Sequence, residues 1–245
     1  MTSLEDPQRA GELKALIARK PALRNWYCAI YSRWAAALRD VPADGVVAEI
    51  GSGGGGFSRD FIPDLVATDT LPYEGLDAVV DAGSLPWSSG SVRALFLLNV
   101  LHHLPDAPRF LSEAQRVLKS GGLLLITDQH VGYFSRFVLR WHDEPYDPKA
   151  QSWKASAKHA LSGSNGALAW IIFQRDRSQF ERQFPGLRLL AYERFSPLQY
   201  WLSGGLKSWS LVPAPLIGLL QSFESALLRL SPQFGSFTHI VLRRQ

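Results

Sequence analysis

The amino-acid sequence predicts an α/β fold built on a doubly wound, parallel β-sheet. Val46–Ile50 is a continuous apolar run, as expected of a parallel strand that is buried on both faces. Glycines follow at once, at residues 51–56, where a chain without Cβ atoms can pass close to a ligand. Apolar, strand-like runs then alternate with helical patterns as far as residue 128, which indicates βαβ units.

Composition limits the kind of protein. The chain has 245 residues and is 46% hydrophobic, enough for one large domain with a full core. A single cysteine, Cys28, excludes a disulfide framework within the chain and a cysteine-rich zinc site. The N-terminus is polar rather than a secretory signal, and the longest apolar stretch, residues 209–220, contains two prolines and is too short to span a membrane. We expect a cytoplasmic protein that makes at most peripheral contact with the inner membrane surface.

Charge is distributed unevenly along the chain. Residues 1–128 carry 12 basic and 15 acidic side chains, whereas residues 129–245 carry 14 basic and 7 acidic ones and five of the eight tryptophans. Basic charge mixed with aromatic side chains is typical of contact with anionic substrates, nucleic acid or membrane surfaces. An ordinary solvated basic face is the alternative interpretation.

The N-terminal region is predicted to be a helical cap. Residues 12–40 contain one or two amphipathic helices, which Pro21 divides. The second helix has an apolar, aromatic stripe whose expected role is packing against the sheet, with contact to a cofactor as the alternative. The stripe consists of Leu23, Trp26, Tyr27, Ile30, Tyr31, Trp34 and Leu38.

The glycine-rich turn fits two cofactor classes. Gly51, Gly53 and Gly56 satisfy the dinucleotide fingerprint, and Asp69 stands near the position of a ribose-binding acid, so an NAD(P)-dependent oxidoreductase is one candidate. A helix is predicted from residue 57 to residue 62, before Pro63, and its free N–H groups would attract negative charge. A merely flexible turn is the third interpretation.

Glu49 separates these classes, because a dinucleotide fold usually has an apolar residue two positions before the first glycine. With Gly51, Gly53 and Gly55 it forms Glu-x-Gly-x-Gly-x-Gly, which resembles motif I of the class I S-adenosylmethionine (SAM)-dependent methyltransferases. The resemblance implies that Glu49 anchors the loop and the methionine end of SAM, and that Ser52 also belongs to the cofactor site. It further implies a Rossmann-like, seven-stranded sheet whose last two strands are an antiparallel addition.

The next two predicted strands each end in an acid. Residues 65–69 end in Asp69, whose carboxylate can accept hydrogen bonds from both ribose hydroxyls. Thr70, the next residue, is assigned to the same cofactor site. An Asx turn or a helix cap is the alternative role for Asp69. Residues 78–81 end in Asp81, and the following Ala82 begins a segment that resembles the family's third motif. The resemblance implies that Asp81 accepts a hydrogen bond from the adenine amino group.

Residues 91–128 carry the most specific resemblance. The fourth predicted strand starts at residue 92 and leads into Leu-His-His-Leu at residues 101–104, which resembles a signature of the type 11, UbiE-like subgroup. Residues 116–122 resemble the turn that precedes strand five in that subgroup, and strand five is predicted at residues 123–127. Ser120 replaces a proline there, and Arg93 replaces an Asp, which is expected to weaken a contact at the strand start. The resemblance adds two residues after strand four to the cofactor site, Asn99 and Val100.

The domain organisation follows from these segments. We expect a cap at residues 1–40, a SAM-binding core at residues 41–130, and the rest of the core at residues 131–245. That last part contains predicted strands at residues 187–193 and 237–242. Insertions at about residues 131–186 and 196–232 are predicted to cover the acceptor, and the second is so apolar that it favours a lipophilic acceptor or membrane contact.

Methyl transfer is an in-line displacement, so the enzyme must chiefly orient the acceptor and exclude water. A general base is needed only where the acceptor loses a proton. His130, just beyond strand five, is the first candidate and His103 the second, and His102 and His142 are further candidates. For His102 and His103, which belong to the subgroup signature, a structural or pocket-lining role is the alternative. No metal site is expected.

The sequence therefore predicts a SAM-dependent methyltransferase that acts by O- or C-methylation on a small-molecule, lipid or glycan-intermediate acceptor. A non-catalytic SAM-fold binding protein is a further alternative, against which intact Glu49, Asp69 and Asp81 argue. Nucleic acid is not expected as acceptor, because the Asn/Asp-Pro-Pro-aromatic signature of amino-methylating enzymes is absent after strand four.

Overall fold

The computed structural model describes residues 9–53, 56–139, 145–154 and 164–245. Its seven strands are β1 Val46–Ile50, β2 Val66–Asp69, β3 Ala78–Val79, β4 Val92–Leu98, β5 Leu118–Gln129, β6 Leu187–Phe195 and β7 Phe237–Arg244. They form one sheet in the order β3-β2-β1-β4-β5-β7-β6, in which β1 to β5 pair in parallel and β7 is antiparallel to β5 and β6. The predicted α/β architecture with seven strands is confirmed.

Eight α-helices flank the sheet in the described parts of the chain. They are α1 Arg9–Arg19, α2 Pro21–Ala37, α3 Ala107–Val117, α4 Tyr133–Val138, α5 Leu168–Trp170, α6 Arg177–Gln183, α7 Gln199–Leu202 and α8 Ile217–Leu230. A π-helical turn, Ile171–Arg175, joins α5 to α6. Pro21 begins α2, as predicted, because a first-turn residue needs no N–H partner within the helix. Among the described helices, none has both the length and the apolar character needed to cross a membrane.

The sheet separates two apolar cores, and β4 shows how one strand serves both. Leu95 and Leu97 belong to the core that contains α3, whereas Phe96 belongs to the core that contains α2, because successive strand side chains point to opposite faces. Trp34 of α2 stacks on Phe96 with ring centroids 4.7 Å apart. The predicted packing of the α2 stripe against the sheet is confirmed.

The helix predicted directly after the glycine turn is wrong. Only a 3-10 turn, Ser58–Asp60, is formed there. The N–H groups of Phe61 and Ile62 both donate to the Ser58 carbonyl, and Pro63 then offers no N–H with which a helix could continue. The described residues after the turn therefore form no α-helix whose N-terminus could attract an anionic ligand.

Arg93 makes a contact of its own at the start of β4. Its Nη1 donates to the carbonyl oxygen of Ala43 over 2.8 Å, which ties β4 to the segment before β1. The start of β4 is therefore held by a hydrogen bond that this arginine itself supplies.

Candidate active site

A cavity of about 480 Å³ opens where the strand order reverses between β1 and β4. This switch point is where open α/β sheets bind ligands, and the volume is that of a small-molecule site. One wall comes from the ends of the strands and the segments after them, and the other comes from α1, α2 and α7. The cavity brings together most of the predicted site residues: Glu49, Gly51, Ser52, Gly53, Asp69, Thr70, Asp81, Ala82, Asn99, Val100 and His103.

Glu49 is the buried acid of this site. Its side chain is 2% exposed, and its Oε2 accepts a hydrogen bond from Ser58 Oγ over 2.6 Å. The pKa of Glu49 is raised to about 7, chiefly by burial; hydrogen bonds from Ser58 and Ser52 oppose the rise, and the nearby charge of Asp69 adds to it. A cationic group bound next to Glu49 would favour its charged form.

The glycine turn requires glycine for two separate reasons. Gly51 and Gly53 have φ angles of +73° and +63°, in the left-handed region that favours glycine. A Cβ on Gly51 would also lie 2.3 Å from a methyl carbon of Val100, so this glycine allows the segment after β4 to pack on the turn. Gly55, the remaining glycine predicted to bind the cofactor, lies outside the described residues.

Asp69 ties the turn to the end of β2. Its Oδ2 accepts from the Gly53 N–H over 2.8 Å, and its Oδ1 accepts from the Leu71 N–H over 3.1 Å. The second bond is the Asx turn that was the alternative role for this residue. Because a carboxylate can accept about four hydrogen bonds, Asp69 has capacity left for ribose hydroxyls.

Asp81 is more exposed than Asp69 and is held by one backbone bond, from the Gly83 N–H over 2.8 Å. It lines the cavity together with Ala82. Its remaining acceptor capacity suits an amino group at the edge of the site.

Asn99 adopts an unusual backbone conformation where β4 ends. Its φ is +54°, a region that non-glycine residues seldom occupy and that is frequent at binding sites. Its Oδ1 is buried and has no hydrogen-bond partner among the described residues, although Asn99 lines the cavity. Since a buried acceptor is costly when unsatisfied, this atom indicates a ligand with a hydrogen-bond donor at this point.

A buried histidine–aspartate pair completes the site. Asp128 near the end of β5 places Oδ1 2.5 Å from Nδ1 of His102, and both side chains are almost wholly buried. Oδ2 of Asp128 also accepts from the His102 N–H over 3.3 Å. His102 lines the cavity, and its ring centroid is 4.1 Å from that of His103. Within the described part of the chain, no group of three His, Cys, Asp or Glu is placed to hold a metal ion.

Sequence reasoning missed Asp128. A signal was available, because β5 carries an acid near its end as β2 does. The partnership with His102 joins residues 26 positions apart, however, and follows from the pairing of β4 with β5 rather than from any local pattern.

The structure does not bring His130 into the described wall of the cavity. Its side chain is fully buried, and its Nδ1 lies 2.9 Å from the Tyr192 hydroxyl. Burial, aided by the charge of Arg194, lowers the pKa of His130 to about 4. A histidine with so low a pKa is a weak proton acceptor near neutral pH. His142, another histidine considered, lies outside the described residues.

The wall opposite the strands is apolar and aromatic. The segment at residues 196–232 contributes three residues, Tyr200, Trp201 and Leu206, whereas the described residues at 131–186 contribute none. Tyr27 and Tyr31 of α2 also line the cavity, so the α2 stripe serves both the core and the site.

The sequence from residue 48 to residue 126 matches the family model described as a methyltransferase domain. Among similar solved structures, a chain of the complex between the Haloferax volcanii Trm112 methyltransferase activator and a methyltransferase has a TM-score of 0.57 and 15% identity, covering 100% of this chain and 98% of its own. Geranyl diphosphate C-methyltransferase from Streptomyces coelicolor A3(2) has a TM-score of 0.54 and 15% identity, and the match covers 99% of this chain and 87% of that enzyme. A SAM-dependent methyltransferase from Archaeoglobus fulgidus has a TM-score of 0.53 and 15% identity, and the match covers 89% of this chain and 94% of that protein. At these identities, the likeness is one of fold.

Proposed function

We propose that this chain, which matches a methyltransferase domain over residues 48–126 and is similar in fold to class I methyltransferases, is a SAM-dependent methyltransferase that acts on oxygen or carbon of a small-molecule acceptor with a lipophilic part. A lipid is such an acceptor, and so is a glycan intermediate that carries a lipid. The observation that carries the proposal is the meeting of Glu49, Asp69, Asp81 and the His102–Asp128 pair around one cavity.

The residues present fit SAM along its length. Glu49 and the unsatisfied Oδ1 of Asn99 suit the ammonium of the methionine end, and the spare acceptor capacity of Asp69 suits the ribose hydroxyls. Asp81 suits the adenine amino group. When bound, SAM supplies a methyl group on a positively charged sulfur, which any well-oriented nucleophile can accept.

His102 is the proton acceptor in this proposal. Its Nδ1 faces the Asp128 carboxylate, so Nδ1 carries the proton of the neutral ring and Nε2 is the nitrogen that can accept one. Asp128 orients the ring and stabilises the imidazolium that forms, as a buried carboxylate does in other histidine–carboxylate pairs. His103 is the second choice because it lines the same cavity.

The apolar cover supports the choice of acceptor. Leu13 and Ile17 of α1 and Trp201 of α7 line the cavity, so a hydrocarbon portion of the acceptor would bury apolar surface there. The same groups exclude water from the reacting atoms.

A transfer assay tests this function. The full-length protein is incubated with SAM labelled in its methyl group and with either a lipid extract or a water-soluble metabolite extract, and label is followed into organic-extractable and aqueous products. We expect SAM-dependent label in the organic fraction, and loss of most of it in His102→Gln. Label that enters only fully water-soluble products would contradict the lipophilic acceptor, and no transfer to either extract would contradict catalysis.

A further inference from the structure

A stripe of apolar side chains covers the outer face of α8 and the residues before it. Leu211, Leu216, Leu219, Phe223 and Leu230 are between 50% and 79% exposed. The last four recur at intervals of three, four and seven residues, so they share one side of the helix. We call these five residues the α8 surface. Exposed apolar patches of this kind mark interaction sites.

Polar contacts on the opposite side fix the orientation of α8. Glu224 is the buried residue of the helix, and its Oε1 accepts from the N–H groups of Leu198 and Gln199, each over 2.6 Å. Gln221 donates to Asn25 of α2 over 2.7 Å. Because these contacts hold the polar side of α8 inward, the apolar stripe is left facing outward.

The charges around the α8 surface are basic. In the segment at residues 196–232, Lys207 and Arg229 are exposed, and the acidic Glu224 is buried. The segment adjoins the α1–α2 junction, since Lys20 Nζ donates to the carbonyl oxygen of Lys207 over 2.9 Å. That junction adds three exposed basic side chains, Lys14, Arg19 and Arg24, against one exposed acid, Glu12.

We infer that the α8 surface docks onto an anionic lipid bilayer. Its apolar side chains would enter the headgroup layer while the surrounding basic side chains meet lipid phosphates, an arrangement typical of interfacial helices. A second copy of the chain is a poorer occupant, because a symmetric contact would bring the same basic rim of both copies together.

Docking would place the cover of the active-site cavity at the bilayer. On α7, Trp201 lines the cavity, and the next residue, Leu202, lines an apolar groove whose other lining residues include four members of the α8 surface. The helix α7 thus borders both the cavity and the α8 surface, and a lipophilic acceptor would move along it from bilayer to cavity. This route rests on the proposed function, whereas docking itself does not.

Co-sedimentation of the full-length protein with vesicles tests the inference. Vesicles of phosphatidylcholine alone are compared with vesicles that also contain phosphatidylglycerol. We expect binding to the anionic vesicles, weakened at least roughly tenfold in Leu219→Gln/Phe223→Gln through loss of apolar burial. Lys207→Gln/Arg229→Gln and high salt should also weaken it. The matched control is Phe137→Gln/Leu190→Gln, whose native side chains are also exposed but lie on α4 and β6, and it should bind like the parent.

Three results would overturn the inference: no binding by the parent, equal binding to neutral vesicles, or equal loss in the control variant. Sedimentation velocity without lipid tests whether a second copy of the chain occupies the surface. If the parent is a dimer, and Leu219→Gln/Phe223→Gln abolishes the dimer but leaves vesicle binding unchanged, the surface serves self-association instead. Calorimetry of SAM binding on the same variants separates the two proposals. SAM binding by the parent protein together with no vesicle binding by the parent would refute docking and leave the proposed function standing.

Discussion

At the scale of single residues, the site depends on acids whose backbone partners leave part of their bonding capacity for a ligand. Asp69 shows this most clearly, because it holds Gly53 and Leu71 and still faces the cavity. The same carboxylate therefore organises the turn and is available to a ribose. The Asx turn and the cofactor role are not alternatives at this residue.

Replacing Asp69 with Ala should weaken SAM binding roughly tenfold to a hundredfold, because charge-assisted hydrogen bonds of about 1.5–3 kcal/mol are lost. Asp81→Ala should have a smaller effect, since Asp81 is more exposed. Asp64→Ala, at an exposed position, is the control. Calorimetry measures all three, and SAM binding at the parental level by a folded Asp69→Ala protein would place the ribose elsewhere.

Glu49 should make SAM affinity depend on pH. Its pKa is about 7 in the ligand-free protein, and the ammonium of SAM favours the charged carboxylate. About one tenth of Glu49 is ionised at pH 6, so the dissociation constant there should be about tenfold higher than at pH 8. Glu49→Gln should bind weakly with little pH dependence in this range. A parent protein whose affinity does not change between pH 6 and pH 8 would contradict this role.

The same residue should shape the stability of the ligand-free protein. The folded-state pKa of about 7 lies above the ordinary value of 4.5, so the folded state binds the Glu49 proton more tightly than the unfolded state does. The free energy of unfolding should therefore fall as pH rises from 4.5 to 7, by about 3 kcal/mol from this group. Denaturant titrations across this range check it, and Glu49→Gln should lack this part of the decrease.

Asp128→Asn should lower kcat roughly a hundredfold or more, while the dissociation constant of SAM stays nearly unchanged. An amide cannot stabilise the imidazolium of His102 as a carboxylate does, and it can favour the wrong tautomer. The pH profile of kcat should change as well, which a merely structural role would not produce. If kcat fell in His103→Ala and stayed at the parental value in Asp128→Asn, the proton acceptor would be His103.

At the scale of elements, sequence patterns located the strands better than the segments between them. Apolar runs predict β1 and β4 because strands buried on both faces leave a continuous signal. The helix after the glycine turn failed because Pro63 leaves too few residues for an α-helix between itself and the turn. The His102–Asp128 pair depends on the pairing of β4 with β5, which no local pattern encodes.

The cover of the cavity should depend on the carboxylate of Glu224, which caps the start of α7. Glu224→Leu leaves the N–H groups of Leu198 and Gln199 without their acceptor and should reduce the free energy of unfolding by roughly 2 kcal/mol. Glu224→Gln keeps an oxygen acceptor and should cost much less. Denaturant unfolding compares the two variants, and equal losses would show that the hydrogen-bonded cap is not the stabilising contact.

At the scale of the whole molecule, the fold brings the ends of β1, β2, β4 and β5 to one cavity and closes it with α1, α2 and α7. The position of this cavity follows from the strand order, which the structure gives; the family resemblance implied only a seven-stranded sheet with an antiparallel addition. The contribution of residues 196–232 to its wall agrees with the prediction that this insertion covers the acceptor, whereas the described residues at 131–186 do not line the cavity. Which of their side chains face the cavity and which face outward depends on tertiary contacts such as those of Lys20 and Glu224.

Calorimetric titration of the full-length protein with SAM, and separately with NAD and NADP, tests the central claim most directly. We expect binding of SAM and of its demethylated product S-adenosylhomocysteine, and no binding of either dinucleotide, because Glu49, Asp69 and Asp81 suit an ammonium, a ribose and an adenine amino group. Tight binding of NAD or NADP with no heat from SAM would contradict it.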